Sequence, residues 1–73
     1  MEDLKHRIRH WRLAAGLSVA DMAEACGVTV GAVYQWEAGT ARPDPDRFPT
    51  IAEACGVALH IFFRPLPQAE AAS

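Results

Sequence analysis

With 73 residues and a formal net charge of -2, the chain has room for one small domain and is too short for two. A chain this short buries only about 60% of its unfolded surface, so self-association is an expected aid to its stability. Two cysteines exclude a disulfide framework, no window approaches the ~20 apolar residues of a membrane span, and the acidic start Met1, Glu2, Asp3 lacks a signal peptide's basic region, so a reduced, cytoplasmic protein is expected whose pI near 5.8 leaves room only for a local basic patch.

From Leu4 to Ala15, the apolar residues Leu4, Ile8, Trp11 and Ala15 fall on one stripe of a first helix, which Gly16 ends. Ser18 offers a hydroxyl cap to a second helix carrying Met22, Ala23 and Cys26, with Asp21 as an acid in its positive first turn. Gly27 closes that helix. Thr29 then caps a third helix, Val30 to Glu37, with Val33 and Trp36 pointing inward, and Gly39 follows. The stretch Thr40 to Pro45 has loop composition. Capped by Asp44 or Asp46, a fourth helix is expected to start at Asp46 and run to about Cys55, with Pro49 limiting where it can begin. A short fifth helix spans Ala58 to Phe63. Residues 1–63 thus read as one domain, and 64–73, with two prolines and three alanines, as a flexible tail.

The segment Ala23-Glu24-Ala25-Cys26-Gly27-Val28 recurs as Ala52-Glu53-Ala54-Cys55-Gly56-Val57. We read both copies as one way of ending a helix: an inward alanine, a buried thiol, a capping glycine and an apolar residue beyond it. Neither cysteine has a basic neighbour in sequence that would lower its pKa, so a reactive thiol lacks support.

Two helices packed across a tight turn need a small residue where their axes approach, a glycine to turn the chain and apolar residues inside both. Residues 19 to 38 meet these needs. In Leu17-Ser18, Met22-Ala23-Glu24, Gly27-Val28-Thr29, Val33 and Trp36-Glu37-Ala38-Gly39, followed by Pro43, the chain resembles the lambda-repressor-like (Cro/cI, XRE-type) helix-turn-helix family, from about Ile8 to Phe63. The resemblance implies an all-α, five-helix DNA-binding domain with the helix-turn-helix at helices two and three, usually a dimer, in a transcriptional regulator. It also implies a structural ion pair between Arg12 and Glu37.

If the third helix enters the major groove, the positions opposite Val33 and Trp36 face DNA: Thr29, Val30, Gly31, Tyr34, Gln35 and Ala38. Gln35 is the best base reader, because its amide can bond adenine N6 and N7 together. Val30 suits a thymine methyl, and Gly31 permits close backbone approach. Ser18, Thr29 and Tyr34 suit phosphate oxygens, although Ser18 and Thr29 equally read as caps. The family uses the loop after the third helix for phosphate contact, which points to Arg42.

Two departures weigh against tight binding. The family's phosphate-clamping glutamine at the start of helix two is Val19 here, and residues 18 to 41 contain no lysine or arginine while Asp21, Glu24 and Glu37 are acidic. Phosphate neutralisation must then come from Arg42, Arg47 and the first-helix set Lys5, Arg7, Arg9 and Arg12. His6 and His10 stand four apart with no third ligand in view, so no metal site is expected, and no cofactor or catalytic set is called for. The sequence therefore favours a repressor that binds a partly palindromic operator in double-stranded DNA as a homodimer, with Ile61, Phe62 and Phe63 at the interface. The competing reading is a protein-interaction module, such as an antitoxin or a subunit of a regulatory assembly, with weak or lost DNA binding.

Overall fold

Residues 4–64 are described by the computed structural model. Among them are five α-helices and no strand: α1 Leu4–Ala14, α2 Val19–Cys26, α3 Val30–Ala38, α4 Phe48–Ala54 and α5 Leu59–Phe62, with a 3₁₀ turn at Pro45–Arg47. Ile8, Met22, Val33, Ile51 and Phe62, one large side chain from each helix, meet in a fully buried centre. Most of the expected fifth helix is present, and only its ends are shorter, with Ala58 and Phe63 serving as caps.

The inner stripe of α1 holds Ile8, with Leu4 and Trp11 half-buried beside the core. Ala15, expected to extend it, is exposed because the helix stops at Ala14. Two arginines, Arg7 and Arg12, are buried on this helix instead. A buried guanidinium is tolerable only where its N–H groups find acceptors. Arg7 Nη1 donates to the carbonyls of Phe62, at 2.9 Å, and Arg64, while Trp11 Nε1 donates to the same Phe62 carbonyl at 3.2 Å. The Phe62 carbonyl is one that the end of α5 leaves without a helical partner. A four-residue helix has no stability of its own, so α5 owes its place to this grip and to Phe62.

α2 begins with a reciprocal cap: Ser18 Oγ accepts from the Asp21 amide at 2.9 Å, and Asp21 Oδ2 accepts from the Ser18 amide at 3.0 Å. That bond from the Ser18 amide holds the Asp21 carboxyl below its ordinary pKa. The repeated six-residue segment ends α2 and α4 with the same two bonds. Val28 N–H reaches the Ala23 carbonyl at 3.0 Å and Gly27 N–H that of Glu24 at 3.3 Å, while Val57 N–H reaches Ala52 at 3.0 Å and Gly56 N–H reaches Glu53 at 2.9 Å. Both glycines are left-handed, at φ 71° and 76°, a conformation that side chains resist. Cys26 and Cys55 are buried free thiols, and burial pushes both upward in pKa, Cys55 to about 11.

α4 starts later than expected. A helix beginning at Asp46 would need the nitrogen of residue 49 to bond the Pro45 carbonyl, and Pro49 has no N–H to give. The Pro45 carbonyl takes the Phe48 N–H instead, which makes the turn 3₁₀, and the α-helix opens at Phe48 with Pro49 in its first turn. Neither Asp44 nor Asp46 caps α4. The expected interface also needs correction at Phe62. It is 0% exposed and belongs to the protomer's own core, with its ring 5.1 Å from that of Phe63 and 6.4 Å from that of Phe48. The expected tail beyond Arg64 lies outside the described residues.

Candidate nucleic-acid interface

α3 turns one face inward and one outward. Val33 and Trp36 are buried, whereas Val30, Gly31, Tyr34, Gln35 and Ala38 lie exposed on the opposite arc, Val30 at 41% and Tyr34 at 60%. Thr29 caps the helix, its Oγ1 accepting from the Ala32 amide at 3.1 Å. No acid stands in the first turn of α3, so the partial positive charge of that end is uncompensated. At the other end, Thr40 and Ala41 both donate to the Gln35 carbonyl, at 3.1 and 3.3 Å, and tie the loop that carries Arg42 back onto α3.

Arg12 holds this helix in place. Its Nε donates to Glu37 Oε2 at 2.6 Å, Nη2 to Glu37 Oε1 at 3.0 Å and Nη1 to the Leu17 carbonyl at 2.9 Å. The two side chains are only 9% and 8% exposed, and the bidentate fork fixes orientation as well as distance. One side chain thereby joins α1, the turn before α2 and the last turn of α3. Its bonds to Glu37 keep the guanidinium protonated to still higher pH than usual.

The remaining cations divide sharply. Arg47, counted from sequence among those available for phosphate, donates Nη1 to the Cys26 carbonyl at 3.0 Å and closes the end of α2. Arg7 and Arg12 are likewise turned inward, which leaves Arg42, Lys5, Arg9 and, just past α5, Arg64 at or near the surface of the domain. The contacts of Arg7 and Arg47 span 55 and 21 residues of sequence, too far for any periodic pattern to disclose. Ser18 is exposed, but its amide and hydroxyl oxygen are engaged by Asp21, whose carboxylate stands where a phosphate would approach α2. Only its hydroxyl proton remains to be donated. His6 is exposed, and His10 packs edge-on against Trp11 at 4.8 Å.

A short second helix and a third with an exposed outer arc, joined across Gly27, form a helix-turn-helix held by three others. A helix-turn-helix family model matches residues 8–62 of the chain, from the first buried residue of α1's apolar stripe to the buried phenylalanine of α5. The chain belongs to the lambda-repressor-like, XRE-type helix-turn-helix family. No curated protein matches it at a significant level. As an XRE-type domain it is a DNA-binding regulator. Among the described residues of this domain, no helix is long and apolar enough to cross a membrane, and no three potential ligands gather around a metal position.

Proposed function

We propose that the protein is a sequence-specific repressor that binds a partly palindromic operator as a homodimer. The exposed arc of α3, with Gln35 at its centre and the Arg12–Glu37 fork behind it, carries this reading. Gln35 reads an adenine edge, Val30 meets a thymine methyl, and Gly31 lets the helix lie close. A Cβ on Gly31 would meet only Thr29 Oγ1, at 3.8 Å, so nothing inside the domain requires glycine there. Thr29, Tyr34, Arg42 and the hydroxyl proton of Ser18 serve phosphate oxygens. Two copies meet through α5, where Leu59 and Phe63, four apart and 42% and 45% exposed, form one apolar edge next to half-buried Ile61.

A second reading, a protein-interaction module such as an antitoxin, draws on one observation: the helix-turn-helix has no cation between residues 18 and 41, and an aspartate guards the start of α2. Binding to random duplex and to DNA from upstream of the protein's own coding region, measured over a salt series, separates the two. Specific binding is expected, with Gln35→Ala losing about 1–3 kcal/mol of discrimination at one base position and Arg42→Ala weakening all sequences alike. Absence of binding to either duplex at low salt overturns the repressor reading in favour of the interaction module.

A further inference from the structure

Between the start of α1 and the end of α3 lies a half-open cleft of about 170 Å³, lined by Leu4, Lys5, Trp36, Gly39, Ala41 and Arg42. Its floor is apolar and its only charged walls are the two cations. Neither Lys5 nor Arg42 makes an ion pair or a side-chain hydrogen bond with a described residue. Two unpartnered like charges on one cleft repel each other, an arrangement that an anion between them relieves. Gly39 makes the approach of Lys5 possible. A Cβ there would stand 2.9 Å from Lys5 Cδ and 3.5 Å from its Nζ, so the lysine stem crosses α3 where a side chain is missing. On the arginine wall it is the backbone that is held, because Thr40 and Ala41 just before Arg42 donate to the carbonyl of Gln35, the residue proposed to read a base.

We propose that Lys5 and Arg42 together seat one backbone phosphate of bound DNA, with Lys5 supplying from α1 a positive charge that α2 and α3 lack. The inference rests on the DNA-binding reading above. It differs from a purely internal role, in which the Lys5 ammonium merely offsets the negative end of α3.

The test uses the full chain, the same two duplexes and fluorescence anisotropy between 50 and 200 mM salt. Lys5→Gln is expected to weaken binding to both duplexes equally, with the ratio of wild-type to variant affinity falling about threefold over that range, as one lost phosphate contact requires. Lys5→Arg is expected to retain most of the affinity, the melting temperature of Lys5→Gln to match wild type, and Lys5→Gln to matter less in an Arg42→Gln background. Unchanged affinity and salt slope in Lys5→Gln overturn the seat. If Gln35→Ala still alters sequence preference in that case, the DNA reading stands and the seat alone fails, whereas a wild type that binds neither duplex removes both. A lowered melting temperature that tracks the loss of affinity and is not restored by arginine assigns Lys5 to helix support instead. Titration with inorganic phosphate, followed at the Gly39 amide and the Trp36 indole, covers the other source of the same chemistry. Signals that move in wild type but not in Lys5→Gln, with DNA affinity unaffected by the substitution, would reassign the cleft to a free phosphate compound.

Discussion

Arg12 and Glu37 stand 25 residues apart, and no periodicity links them. Resemblance alone pointed to the pair, while the geometry adds the Leu17 carbonyl as a third acceptor and puts both side chains nearly out of water. Deleting either partner leaves a charge stranded in low dielectric, so Arg12→Ala and Glu37→Ala are each expected to lose ~3–5 kcal/mol. For a domain of this size, whose whole stability is on the order of 4–11 kcal/mol, that is a large share. Urea unfolding of both single variants and the double variant checks this: the double is expected to lose clearly less than the sum, because the second deletion removes the stranded charge. The buried thiols support a second expectation at this scale. Cys55 titrates near 11 when folded, so its contribution to stability is complete below the ordinary thiol pKa and is lost as pH rises through the folded value. Stability should therefore decline between about pH 9 and pH 11 in wild type, and less in Cys55→Ala, as read from urea midpoints at each pH.

The elements were the most legible part of the chain, because their signals are local. Ser18 and Thr29 before apolar runs, and a glycine after each of the first four helices, are properties of a few adjacent residues. The repeated six-residue segment showed its meaning from sequence for the same reason. α4 was misplaced by two residues because its start depends on which carbonyl Pro49 leaves unserved, a competition between α and 3₁₀ bonding that composition does not reveal. The carbonyl at the end of α5 is held by donors more than fifty residues away. Replacing Arg7 by Met keeps the length of the side chain and removes the donors. At ~1.5–3 kcal/mol for a hydrogen bond to a charged group, this should release α5 before the rest of the domain. Amide exchange at Phe62 and Phe63 is expected to rise well above that of Met22 or Val33 in this variant. Equal acceleration throughout would mean that α5 and the rest of the domain unfold as one unit.

For the molecule as a whole, the exposed arc of α3 followed from helical period, but which cations could serve DNA did not. Three of the arginines counted from sequence are occupied by carbonyls or by Glu37, and an acidic domain is left with few charges to offer a duplex. A single copy of the chain then contributes little salt-dependent affinity, and doubling the contacts is the direct way to gain more. The α5 edge is where that doubling is proposed. Leu59 is the cleaner probe of it, because Phe63 also packs against Phe48 at 5.4 Å and lies under Arg7 at 5.8 Å. Leu59→Asp adds a charge at an exposed position, so the isolated subunit should stay folded while two-fold pairing fails. Sedimentation is expected to show a wild-type dimer and a monomeric variant, with a melting temperature that depends on concentration only in wild type. Operator affinity should fall much further than affinity for a single half-site, since pairing alone sets the two recognition helices about 34 Å apart, one turn of DNA. If Leu59→Asp still sediments as a dimer and protects both half-sites equally, the two copies meet through a surface other than α5.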